Sequence, residues 1–155
     1  MTKTIIFGKR SKLTSSIIRK IKNFEVISSN DIDYNKLKLE NSIKKNYIFN
    51  NFYPSYKLND LKPKHYESFL ENSLVNLVKI LSSLNSKNIN KIIYTSSSSI
   101  YGLDEDLKLT DFDRYNRKIY ASFKYSAEKV VQNYFQKKKI NFYVMRLFNT
   151  YGDAK

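Results

Sequence analysis

The chain has 155 residues, no cysteine, a single histidine and a formal net charge of +14. That length suits one ordinary domain with its own core. The absence of cysteine excludes a disulfide framework and a thiolate metal site, and His65 alone argues against a histidine metal centre or a Ser-His-Asp triad. The 28 basic residues are scattered through the chain, which is also rich in Asn, Ile, Tyr and Ser and holds only 3 Gly and 2 Pro. Such a bias argues against a nucleic-acid partner, while leaving attraction for an anionic small molecule. The apolar runs are strand-sized, well short of the roughly 20 residues of a spanning helix. A cytoplasmic protein without a membrane anchor is expected.

In chain order, 4–7 is a short β-branched and aromatic run that predicts a buried strand. Leu13, Ile17, Ile18 and Ile21 recur at helical spacing over 11–22. A second strand is predicted at 25–28, a short helix at 34–45, and a third strand at 47–50 before a loop containing Pro54. Pro63 sits where a first helical turn tolerates proline and opens a long helix to about residue 86, with Phe69, Leu70, Leu74, Leu77, Val78, Leu81 and Leu84 along its apolar stripe. A strand at 92–95, a loop at 103–117, a helix at 120–138 and a strand at 142–147 complete the chain. Lys137, Lys138 and Lys139 fall at the end of the last helix, where cations suit its dipole. Alternating strands and helices predict an α/β fold, a doubly wound parallel sheet with helices on both faces.

Six Tyr-x-x-x-Lys pairs occur, against about two expected from composition alone. Only Tyr120/Lys124 opens a helix just downstream of a strand that ends in serines, Ser96 to Ser99. Ligands of open α/β sheets sit at the carboxyl ends of the strands, so this pair and Ser97 are candidates for one site. A tyrosine hydroxyl titrates near 10, too high for an efficient base at neutral pH, and a lysine one helical turn away would favour the phenolate. A nearby serine would hold a substrate oxygen while tyrosine accepts or returns a proton.

The segments Ile92-Ile93-Tyr94-Thr95-Ser96-Ser97-Ser98-Ser99-Ile100-Tyr101-Gly102, Tyr120-Ala121-Ser122-Phe123-Lys124-Tyr125-Ser126-Ala127-Glu128 and Met145-Arg146-Leu147-Phe148-Asn149-Thr150-Tyr151-Gly152 resemble the extended short-chain dehydrogenase/reductase family, in its NAD-dependent sugar-nucleotide epimerase/dehydratase branch. The resemblance implies a Rossmann-like fold and an NAD(P)-dependent oxidoreductase acting on an NDP-sugar, with NAD or NADP as cofactor. It implies Ser97, Tyr120 and Lys124 as catalytic residues, Lys124 also meeting the cofactor ribose, and Ser97, Ser98 and Asn149 as substrate contacts. Asn72 matches an asparagine that the family carries in the preceding helix. The Tyr47-Ile48-Phe49-Asn50-Asn51 stretch takes the place of its fourth-strand signature. A homodimer through helices 63–86 and 118–138 is a further implication. Glu128 is expected to support the helix rather than the reaction.

Two departures stand out. The family frame G-x-x-G-x-x-G reads here Gly8-Lys9-Arg10-Ser11-Lys12-Leu13-Thr14, so only the first glycine is present. Gly8, Arg10 and Ser11 are the expected cofactor contacts there, with Asp31 a candidate ribose anchor after the second strand. The second departure is length. The interval before Tyr47 suggests one missing strand-helix unit, and residues 1–155 are expected to form a single abbreviated dinucleotide-binding domain with the substrate lobe largely absent. Rival expectations are a non-catalytic or truncated relative and a basic nucleotide- or nucleic-acid-binding module.

Overall fold

The computed structural model describes residues 2–28, 31–39, 43–50, 62–101 and 119–148. Five strands, β1 (Thr4–Phe7), β2 (Phe24–Ile27), β3 (Lys45–Phe49), β4 (Ile89–Ser97) and β5 (Phe142–Leu147), form one parallel sheet in the order β2-β1-β3-β4-β5. The strand order reverses at β1. Its carboxyl end and that of β3 therefore flank the crevice where such sheets hold ligands.

The helices are α1 (Lys12–Ile18), α2 (Tyr34–Leu39), α3 (Tyr66–Leu70), α4 (Asn76–Ser83) and α5 (Ile119–Gln136). Ile5 and Phe7 of β1, Tyr47 and Phe49 of β3, and Ile92 and Tyr94 of β4 alternate onto one face. They meet Leu37 of α2, Leu77, Ile80 and Leu81 of α4, and Ala127, Val131 and Phe135 of α5. Parallel crossovers are right-handed. Because β1 to β2 and β2 to β3 run in opposite directions along the sheet, α1 lies on the face opposite α2.

Several element boundaries differ from the expectation. The first helix stops at Ile18 instead of Lys22, with Arg19 closing it by donating its backbone N–H to the Ile17 carbonyl. The second covers Tyr34–Leu39 among the described residues, and Lys45 is a buried residue of β3 rather than the end of that helix. The single long helix expected from Pro63 is segmented: a 3₁₀ turn at Pro63–His65, then α3, a π turn at Glu71–Val75, then α4. Within the π turn the Ser73 hydroxyl donates to the Phe69 carbonyl at 2.6 Å, a side-chain bond that competes with the regular ladder. β4 runs nine residues, longer than the four expected, and delivers Ser97 at its end. The expected loop at 103–117 and Asn149 lie outside the described residues.

Candidate active site

Gly8 follows β1 with φ +119°, and a Cβ there would stand 1.7 Å from the Asn50 carbonyl oxygen. Glycine is thus required by backbone approaching backbone at the crevice. The Gly8 N–H donates to the Ile27 carbonyl at 3.0 Å, and the Asn50 N–H donates to the Phe7 carbonyl at 2.8 Å, tying the ends of β2, β1 and β3 together.

The positions where the family frame has its other glycines hold hydroxyls that turn inward. Ser11 caps α1 by accepting from the Leu13 N–H at 3.2 Å. Thr14 donates to the Gly8 carbonyl at 2.7 Å. Both accept from the Asn50 side-chain amide, Thr14 at 2.7 Å and Ser11 at 3.4 Å. On its other side the Asn50 Oδ1 lies 3.1 Å from the Thr95 hydroxyl, which also points at the Phe49 carbonyl at 3.0 Å.

A cavity of about 410 Å³ opens between this loop and the start of α5. Arg10, Ser11, Lys12 and Leu13 line one side, Asn50, Thr95, Ser96 and Ser97 the strand ends, and Tyr120 and Lys124 the helix, with Leu147 and Phe148 closing it. Its charged side chains among the described residues are all basic. Ser97, Tyr120 and Lys124 thus share one space with the loop residues Arg10 and Ser11.

Ser97 accepts from the Ser99 N–H at 3.2 Å and hydroxyl at 2.9 Å, and its own side chain hydrogen-bonds Tyr120. Burial pushes the Tyr120 phenol above its usual value, and the Ser97 bond draws it back. Tyr120 also meets Phe69 edge-on at 6.3 Å, and Phe123 stacks on Phe69 at 5.1 Å, so the bulky residue at 123 is accommodated by α3.

Lys124 is 3% exposed. Its ammonium donates to the Thr95 carbonyl at 3.0 Å and sits 5.4 Å from the Tyr94 ring centre. Burial pulls its pKa down to about 7, opposed by the negative charge of Glu128. Glu128 is fully buried and accepts both arms of Arg146 on β5, at 3.0 and 2.9 Å. The guanidinium in turn lies over the Tyr101 ring at 4.8 Å.

Three expected ligand residues stand apart from this cavity. Asp31 is exposed and lines a separate hollow with Glu25, Asp33 and Lys36, its N–H donating to the Ser28 carbonyl at 3.1 Å. The Asn72 amide, in the π turn, donates to the Ser68 carbonyl of its own helix at 2.7 Å. Ser98 begins a 3₁₀ turn, half-buried, and is not among the lining residues. In the other direction, sequence reasoning missed Asn50, Thr95 and Lys12. A polar residue directly after each of two neighbouring apolar strand cores was the available signal for the first two.

Residues 56–155 match the NAD dependent epimerase/dehydratase family. A UDP-glucose 4-epimerase of Rhizobium leguminosarum bv. trifolii is 29% identical over 89 residues, 55% of this chain and 26% of that protein. Among solved structures, the UDP-glucuronic acid 4-epimerase of Bacillus cereus in complex with NAD superposes with a TM-score of 0.72 at 16% identity, over 99% of this chain and 59% of that one. RMD from Pseudomonas aeruginosa complexed with NADPH gives 0.67 at 16% identity, over 96% of this chain and 55% of the other. The chain therefore spans a quarter of the curated relative and somewhat over half of these structures. With a five-stranded parallel Rossmann-like sheet and a family match over most of its length, this chain belongs to the NAD dependent epimerase/dehydratase family.

Proposed function

We propose that the chain is the dinucleotide-binding part of an NAD(P)-dependent sugar-nucleotide epimerase or reductase, with Ser97, Tyr120 and Lys124 as its proton machinery. The observation that carries this reading is the cavity they share with Arg10, Ser11 and Lys12. The residues fit a dinucleotide. Gly8 permits the close approach of loop and strand end, Arg10 and Lys12 match a pyrophosphate in charge, and the hydroxyl and amine of Tyr120 and Lys124 face the same space. When bound, the nicotinamide would accept or supply the hydride.

The chain's own residues have the following parts. Ser97, already bonded to the phenol, would hold a substrate oxygen, and Tyr120 would take up or return its proton. Lys124, held at the Thr95 carbonyl, would favour the phenolate when protonated. Asn149 remains the proposed contact for a nucleotide diphosphate. UDP-sugars are the substrates to screen first, since the similar proteins are named for them.

Titration with NADH and NADPH, followed by nicotinamide fluorescence, tests the cofactor. Saturable binding supports the reading, and absence of binding to folded protein at millimolar cofactor overturns it in favour of a non-catalytic relative. The hydroxyl-filled loop at Ser11 and Thr14 is the observation favouring that second reading. Tyr120→Phe then separates binding from turnover: affinity should persist while turnover falls at least about a hundredfold.

A homodimer is proposed through the helical face of α3, α4 and α5. Leu70 and Val78 are 39% and 46% exposed there. A hollow of about 490 Å³ lies between α4 and α5, lined by Val78, Leu81, Val130 and Tyr134. Light scattering of the native chain and of Val78→Asp checks it, with a shift to monomer expected in the variant. No helix among the described residues is long and apolar enough to cross a membrane.

A further inference from the structure

A line of hydrogen bonds, passing from the side chain to the backbone of Thr95, leads from the β1–α1 loop to the Lys124 ammonium. Thr14 Oγ1 donates to the Gly8 carbonyl and accepts from Asn50 Nδ2, both at 2.7 Å. Asn50 Oδ1, at 3.1 Å, shares the Thr95 hydroxyl proton with the Phe49 carbonyl at 3.0 Å, and the Thr95 carbonyl accepts from Lys124 Nζ at 3.0 Å. Every side chain in the line is buried, with Thr14 2%, Asn50 1%, Thr95 6% and Lys124 3% exposed.

The line has a direction. A hydroxyl has one proton, and that of Thr14 goes to the Gly8 carbonyl, so Thr14 can only accept from its other neighbour. The Asn50 amide must then present its nitrogen to Thr14 and its oxygen to Thr95. The second Asn50 N–H has an acceptor in the Ser11 hydroxyl. Turned over, the amide would set its oxygen against the Thr14 oxygen at 2.7 Å, so Thr14 selects this orientation, and the single Thr95 proton is shared between Asn50 Oδ1 and the Phe49 carbonyl at the end of the neighbouring strand. In a low-dielectric interior each of these bonds is strengthened, and losing one leaves a buried group unpaired.

We propose that Asn50 is a positioning residue that fixes Lys124 relative to the β1–α1 loop, through Thr14 on one side and Thr95 on the other. The hydroxyls at 11 and 14 are then functional replacements for glycine in this chain, linking the loop to the site instead of merely crowding it. Lys124's importance rests on the proposed function, but the coupling itself is a property of the protein alone.

The titration of Lys124 reports that coupling, because its amine depends on the Thr95 carbonyl for a desolvated partner. The other groups facing it are Glu128 and Tyr120 on its own helix, Tyr94 on β4, and Arg146 on β5, which is paired to Glu128. Arg10 and Lys12 face it across the cavity. None of these is altered by a substitution at Thr14.

The experiment follows the Lys124 side-chain resonances of uniformly labelled, ligand-free protein against pH, assigned by their loss in Lys124→Gln. Thr14→Val removes the hydroxyl and preserves the shape, and Thr14→Ser restores the hydroxyl. The expected result is a Lys124 titration moved lower by about half a pH unit or more in Thr14→Val, and within about 0.2 of the native value in Thr14→Ser. A folded Thr14→Val with a native Lys124 titration overturns the proposal, because the sheet alone would then place Thr95. Should Thr14→Val not fold, Thr95→Val against Thr95→Ser makes the same comparison nearer the amine, and the same two results decide it. No cofactor is added, so failure here is distinguishable from failure of the dinucleotide reading.

Discussion

Glu128 on α5 and Arg146 on β5 form a two-armed ion pair, Nε to Oε1 at 3.0 Å and Nη2 to Oε2 at 2.9 Å, with the carboxylate fully buried. The pair joins the helix that carries Tyr120 and Lys124 to the edge strand of the sheet. Glu128 also supplies the negative charge that partly offsets the desolvation of Lys124. Removing one partner strands a charge in the interior. Arg146→Met should therefore cost about 3–5 kcal/mol in urea denaturation, and Glu128→Leu combined with Arg146→Met should recover much of it.

Gly8 tests whether the crevice tolerates any side chain. Gly8→Ala would place a methyl against the Asn50 carbonyl in a backbone region that L-residues rarely adopt. A loss of at least about 2 kcal/mol is expected, read from the denaturation midpoint. Native stability in Gly8→Ala would show that the loop and β3 end are not held this closely.

Lys124 makes stability depend on pH in a defined window. Its unfolded pKa is 10.5 and its folded one about 7, so between these values the unfolded chain holds the extra proton and stability rises with pH. Relative to the native chain, Lys124→Met should thus gain most in stability below about pH 7 and should lose that advantage towards pH 10. Denaturation at a series of pH values checks it; a difference that does not change with pH would refute the depressed titration.

Ser96 Oγ is buried and without a hydrogen-bond partner among the described residues. An unpaired buried hydroxyl costs free energy that an alanine does not. Ser96→Ala should gain about 1 kcal/mol in the ligand-free protein, again by urea denaturation. A loss of stability would mean that this hydroxyl has a partner after all.

The sequence by itself determined the alternation of strands and helices, because the period of apolar residues is a local property. β1 at Thr4–Phe7 and β5 at Phe142–Leu147 have the bounds expected from that period. It also placed Ser97 at a strand end and Tyr120 and Lys124 one helical turn apart, since those relations span few residues. The segmented helix after Pro63 was not legible, because the π turn depends on hydrogen bonding within the helix that the apolar stripe does not encode. Asp31 and Asn72 were assigned from position along the chain; in the fold the first lines a hollow with Glu25 and the second donates to the Ser68 carbonyl, contacts that position alone does not encode.

Only the tertiary structure decided what fills the crevice. Thr14, Asn50, Thr95 and Lys124 are 36, 45 and 29 residues apart along the line of bonds that joins them. Pattern cannot reveal such partners, because hydrogen bonds of this kind exist only where parallel strands end side by side. The eroded glycine frame looked like a loss when read along the chain. Folded, the Thr14 hydroxyl donates to the Gly8 carbonyl after β1 and both hydroxyls accept from Asn50 after β3, since burial obliges each polar group to find a partner.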